Sequence, residues 1–273
     1  MTWTSLRVTA PGRREAASAA LFGAGAQGVH EDGTALVTHF PPEVDVAAVI
    51  RQVHLAIPDA VCETSPTEPI DWSIHWRDKL SAHTLGRLTI APTWLAEGHD
   101  PATTIVIDPG MAFGTGDHPT TRGATRLLQD IMHPGLVVAD LGAGSAVLSI
   151  AAAKLGASRV FAIEYDGDAI GNAEDNVRRN DVEGIVHVFE GDATILLPLV
   201  APVDVVVANI ISSVLVELLP AMHGALRPGG RAILSGILLE EREAMLDAIA
   251  ADGWRLERED VEDVWWSITI AKA

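Results

Sequence analysis

Val138-Ala139-Asp140-Leu141-Gly142-Ala143-Gly144-Ser145-Ala146 joins an apolar run to a helical pattern. The run Leu136 to Ala139 ends in an acid, then two alternating glycines. Val147, Leu148, Ile150, Ala151 and Leu155 follow at helical spacing, and Gly156 stops them. This reads as strand, tight turn, helix. Glycines let the backbone curl and let a ligand approach it closely. The ligand would sit beyond the carboxyl end of the strand. A dinucleotide fingerprint, G-x-G-x-x-G, needs a third glycine where Val147 stands, so a nicotinamide-dependent dehydrogenase is disfavoured.

Three further strands read outward from this point. Arg159 to Ile163 ends in Glu164, about twenty residues after the glycines, where an acid can accept both hydroxyls of a ribose. Val186 to Phe189 leads to Asp192, placed to meet an adenine amino group. Val203 to Ala208 ends in Asn209. Asp140, Glu164, Asp192 and Asn209 thus mark four successive strand tips. This pattern resembles the class I methyltransferases that use S-adenosylmethionine. The elements after residue 85 alternate strand and helix and close on two strands, Trp254 to Glu259 and Val264 to Ala271. Such an order predicts an α/β fold, a mostly parallel sheet with helices on both faces and a final hairpin.

The 273 residues suffice for one large or two modest domains. Residues 1–66 read strand-helix-strand-strand-helix-strand, which predicts a small α+β ferredoxin-like domain. Pro66 to Pro69 and a helix from Asp71 through Leu80, carrying Trp72 and Trp76, make residues 67–84 a linker helix. Residues 85–273 form the second domain. The helix predicted over 120–132 takes Asp117 or Thr120 as its cap. His118 reads as structural, because the loop before it supplies too few ligands for a metal.

A formal charge of -18, from 37 acids against 19 Lys plus Arg, disfavours direct nucleic-acid binding, which rests on phosphate neutralisation. It suits a basic partner. The single cysteine, Cys62, excludes a disulfide framework within the chain and a cysteine-zinc cluster. No apolar stretch reaches the ~18 residues of a membrane span. Met1 to Thr4 lacks the basic start and apolar core of a signal peptide, so the expected setting is cytoplasmic.

The loop Asp108-Pro-Gly-Met-Ala-Phe-Gly-Thr-Gly-Asp-His-Pro-Thr-Thr121 carries a more specific resemblance. With Asp71-Trp72, Trp76, Gly86-Arg87, Pro92-Thr93-Trp94, Asn209-Ile210 and Leu234-Ser-Gly-Ile-Leu238, it is similar to the bacterial methyltransferases of ribosomal protein L11 (L-eleven) of the large subunit. The resemblance covers nearly the whole chain. It implies a class I, Rossmann-like methyltransferase domain with S-adenosylmethionine as cofactor. It also implies an N-terminal domain that recognises the ribosomal protein, and trimethylation of lysine side chains and the N-terminal α-amine. Cofactor contacts carry over to Thr121, Gly142, Glu164 and Asn209, and Gly144 and Asp192 join them from the strand-tip pattern. Asn209, with the Ile210 backbone, is expected to accept from the amine and aim it, with Phe113 and Thr115 closing over it. No metal is required. The chain departs from the family pattern at Ala143 and Ala146 (cysteine and glycine are usual), at Glu164 (usually Asp) and at Asp117 (usually Thr or His). Methylation of another protein or of a small-molecule amine is the alternative.

Overall fold

The computed structural model describes residues 3–10, 12–26, 29–33, 35–67, 80–108 and 114–273. The predicted linker helix with Trp72 and Trp76, and Phe113 of the loop, lie outside the described residues. The chain divides into two compact units, Met1–Lys79 and Leu80–Ala273.

In the first unit, β1 (Trp3–Thr9), α1 (Arg14–Gly23), β2 (His30–Asp32), β3 (Ala35–Phe40), α2 (Val46–Ala56) and β4 (Val61–Thr67) succeed one another. The sheet order is β2-β3-β1-β4, antiparallel throughout, which is the ferredoxin-like arrangement. Leu6 and Val8 of β1, Leu36 and Phe40 of β3, Leu21 of α1 and Val49 and Val53 of α2 form its core. Asp45 caps α2 by accepting the Ala48 N–H. β4 runs on through Pro66 to Thr67, into the stretch expected to be linker.

The second unit opens with β5 (His83–Leu85), β6 (Leu88–Pro92) and β7 (Thr104–Ile107), a small sheet of their own. Residues 83 and 84, placed in the linker segment beyond the helix expected through Leu80, are therefore strand. Helix α3 (Pro119–Ile131) follows. Then β8 (Val137–Leu141), α4 (Val147–Lys154), β9 (Arg159–Glu164), α5 (Gly167–Arg179) and β10 (Val186–Glu190) alternate. The chain continues through α6 (Ala193–Val200), β11 (Val203–Asn209), α7 (Ser212–Ala225), β12 (Leu226–Leu238) and α8 (Arg242–Ala251), and closes with β13 (Trp254–Glu262) and β14 (Trp265–Lys272). The seven-stranded sheet has the order β10-β9-β8-β11-β12-β14-β13, parallel except at β14, which runs antiparallel to both neighbours. The order reverses beside β8, so the crevice at the carboxyl ends of β8 and β11 is where a ligand fits.

Alternating side chains build the two layers. Val138, Val205 and Val207 pack with Leu127, Leu128, Val147 and Val177 on the face of α3, α4 and α5. Ala139, Val206 and Ala208 pack with Leu197, Leu215, Leu218 and Ile249 on the face of α6, α7 and α8. Helix α6 was not expected; it contains Pro198, and its apolar residues have no amphipathic period. The Pro228–Gly230 turn lies inside β12, where the pairing with β11 shifts register between Val203 and Val205. Among the described residues no helix is long and apolar enough to cross a membrane.

Two side-chain amides, of Asn176 in α5 and of Asn180 at its C-cap, finish the small sheet. Asn180 Oδ1 accepts from Val106 N at 2.8 Å and its Nδ2 donates to Val106 O at 2.7 Å. One turn earlier, Asn176 treats Asp108 the same way, with Oδ1 2.8 Å from the amide and Nδ2 3.2 Å from the carbonyl. Asn176 Nδ2 also reaches Ser145 O at 3.1 Å.

Candidate active site

The glycine turn after β8 is built by close approach. Gly142 has φ +69°, and a Cβ there would lie 2.4 Å from Ile210 Cγ2. Only glycine lets β8 and the segment after β11 come this near. Gly142 N and Ala143 N donate to Ile163 O at 2.8 and 3.2 Å, tying the turn to β9. Ala146, a non-glycine residue, takes the left-handed conformation, φ 64° and ψ 19°. It precedes α4 without a side-chain cap of its own.

Glu164 bridges this turn and its own loop. Oε2 accepts the Gly144 N–H at 2.7 Å, and Oε1 accepts the Asp166 N–H at 2.8 Å. Asp140 is buried in β8 and accepts the Ser149 hydroxyl at 2.6 Å. Burial pushes its pKa up to about 7; the Ser149 bonds oppose this and the Glu164 charge adds to it. Asp192 caps α6, accepting Thr194 N and Oγ1, both at 2.7 Å. The Thr194 bonds hold its carboxyl below the ordinary range.

A cavity of about 470 Å³ opens over the tips of β8, β9 and β11, with Gly142, Gly144, Glu164 and Asn209 in its wall. A second, of about 280 Å³, is lined by Asp192, Thr194, Tyr165 and Glu217. The two share Gly142, Glu164, Ile210 and Val214. Glu164 therefore stands at the junction of one continuous cleft.

Two expected residues sit elsewhere. Thr121 is fully buried on α3, behind Asn209, with its hydroxyl 3.4 Å from Asn209 Nδ2. Its neighbour Thr120 lines the larger cavity instead. The Thr115 hydroxyl is taken up within its loop, accepting Asp117 N at 3.2 Å.

His118, read as structural, both caps a helix and lines the larger cavity. It caps α3 in place of Asp117 or Thr120, with Nδ1 accepting Thr120 N at 3.4 Å and lying 2.7 Å from Thr120 Oγ1. Pro119 at the first helical position gives the reason, since proline there leaves the preceding residue as the cap. The ring also lines the larger cavity and meets Trp265 edge to face, centroids 4.9 Å apart at 67°. Burial lowers the His118 pKa; the Arg122 charge adds to this, and Asp117 opposes it. Ile210, expected beside Asn209, lines the cavity too; Trp265 and Gly236 line it without having been expected there.

The family model described as Ribosomal protein L11 methyltransferase matches residues 12–273. The chain belongs to this family. It is 39% identical over 204 residues to the ribosomal protein L11 methyltransferase of Halalkalibacterium halodurans, covering 74% of this chain and 64% of that protein. The match thus spans just under two thirds of that relative's length. The relative from a Synechococcus strain is 36% identical over 243 residues, covering 85% of this chain and 80% of its own. The crystal structure of ribosomal protein L11 methylase from Lactobacillus delbrueckii subsp. bulgaricus superposes with a TM-score of 0.64 at 30% identity, over 71% of this chain and 99% of that one.

Proposed function

We propose that the chain is an S-adenosylmethionine-dependent protein N-methyltransferase acting on ribosomal protein L11, at lysine side chains and the N-terminal α-amine. Family membership supports the reaction class. The observation that carries the reading is the shared cavity of Glu164 and Asn209, with the Gly142–Gly144 turn between them.

The cleft fits this cofactor. Each Glu164 oxygen takes one backbone N–H and keeps acceptor capacity for a ribose hydroxyl. Asp192 stands in the adjoining cavity, within a loop suited to an adenine amino group. Val147, Leu148, Ile210 and Val214 supply apolar walls. When bound, S-adenosylmethionine supplies a methyl group already activated on a sulfonium.

The chain then positions an amine. A lysine with pKa ~10.4 is neutral about one time in a thousand near pH 7.4, a cost of ~4 kcal/mol. Desolvation against the apolar walls favours the neutral form. Thr121 occupies Asn209 Nδ2, which leaves Oδ1 to accept from the amine and aim its lone pair.

The first unit, residues 1–66 at its core, is assigned to recognition of the protein substrate. The net charge of -18 suits a basic partner. Mass spectrometry of purified L11 after incubation with the chain and S-adenosylmethionine tests the reading. Successive methyl additions on amines are expected; L11 of unchanged mass would overturn it.

A further inference from the structure

Residues 114–118 form one wall of the larger cavity, through Gly114 and His118. The segment is fastened at both ends. Ser145 Oγ donates to Gly114 O at 2.6 Å. At the other end three bonds converge on Asp117. Its carboxylate Oδ1 lies 2.6 Å from His83 Nε2. Its N–H donates to Thr115, and its carbonyl accepts from the Arg122 guanidinium, which is itself held by Glu262 at 2.8 Å.

Between the two ends the segment lies on the small sheet. Gly116 has φ +85°, and a Cβ there would fall 2.2 Å from Ile90 Cγ2. Ile90 of β6 is the cross-strand partner of His83 in β5. One strand pair therefore carries both the surface that Gly116 presses on and the imidazole that grips Asp117. The next residue is His118, packed on Trp265 in the cavity wall.

We propose that the His83–Asp117 pair is a latch that sets this wall for methyl transfer, making both residues positioning residues. The proposal rests on the reading given under Proposed function. The pair is partly exposed, with side chains 25% and 40% accessible, so it adds little to global stability. Its weight falls on the placement of His118 and Gly114.

Full-length His83→Ala, Asp117→Ala, the double variant, His83→Gln and Asp117→Asn test this with S-adenosylmethionine and L11. Both alanine variants should keep the melting temperature within about 2 °C and the cofactor Kd within about twofold. Turnover should fall about tenfold in each, with a smaller change in KM for L11. The double variant should be no slower than either single one, since both break the same contact. Asp117→Asn keeps an acceptor for the imidazole and should retain most of the rate. Amide exchange at 114–118 should quicken about tenfold in the alanine variants while the sheet amides stay protected.

Wild-type turnover in His83→Ala, additive losses in the double variant, or unchanged exchange at 114–118 would each overturn the latch. A wild-type protein inactive on L11 would overturn the functional reading instead, and the exchange measurement would still judge the latch. His83→Gln keeps a donor for Asp117 and should, like Asp117→Asn, retain most of the rate. If an alanine variant fails to fold, His83→Phe, which keeps the ring and removes the hydrogen bond, carries the comparison: wild-type exchange at 114–118 in it overturns the latch, and faster exchange supports it.

Discussion

Glu164 accepts the amide of Gly144 at 2.7 Å, so the acid that ends β9 and the glycine turn that follows β8 form one hydrogen-bonded unit. Removing the carboxylate strips the proposed ribose acceptor and releases the turn together. Glu164→Ala should weaken S-adenosylmethionine binding by roughly ten- to a hundredfold, about 1.5–3 kcal/mol for hydrogen bonds to a charged group. Glu164→Gln, which keeps one acceptor oxygen, should lose less. Calorimetry reads both, and the wild type should bind no NAD. An Ala variant with wild-type affinity removes Glu164 from the site.

Asn209 is backed by the buried Thr121. If its oxygen aims the amine, Asn209→Ala should leave folding nearly intact and lower turnover by more than it lowers cofactor affinity, because the lost contact matters most in the transition state. Single-turnover rates from pH ~7 to ~10, spanning the amine's ordinary pKa, separate aiming from ionisation. A variant that regains the wild-type rate at high pH would show that Asn209 only tunes the amine's pKa.

Asp140 gives stability a pH dependence with a definite sign. Its folded pKa is about 7, raised by burial above the unfolded value. From about pH 4 to 7 the folded chain therefore keeps a proton that the unfolded chain has released. Stability from this group is full at low pH, falls as pH rises through that window, and is lowest above it. Asp140→Asn cannot titrate. Its melting temperature should gain on the wild type by a few degrees between pH ~5 and ~8. A difference that stays constant with pH would mean Asp140 does not titrate in that range.

The second unit has its own complete core and sheet. Residues 80–273 alone should fold and bind S-adenosylmethionine while losing methylation of L11. Circular dichroism, calorimetry and mass spectrometry check these in turn. A fragment as active on L11 as the whole chain would show that recognition does not reside in the first unit.

The strand tips were legible because each is a local event. An apolar run followed by Asp140-Leu-Gly, Glu164, Asp192 or Asn209 can be read in a short window. The ferredoxin-like order and the closing hairpin were legible for the same reason, through alternation and turn residues. Helix α6 was not, since Ala193 to Val200 is apolar all round and holds Pro198. Nor was the burial of Thr121, which depends on Asn209, 88 residues away. The links that hold the loop before α3, Ser145 to Gly114 and His83 to Asp117, span 31 and 34 residues. Nothing in the local sequence marks such partners. The cap at His118 was within reach, because Pro119 signals it.

The paired amides of Asn176 and Asn180 stand where a neighbouring strand would stand beside β7. An edge is thereby closed by a helix that belongs to the larger sheet's layer, which also guards it against pairing with another chain. The small sheet cannot peel away without stripping hydrogen bonds from α5, and α5 cannot fray without exposing β7. Heat should therefore melt residues 80–273 in a single calorimetric transition, with equal calorimetric and van't Hoff enthalpies. Replacing both asparagines with alanine should split that transition in two, the small sheet giving way first.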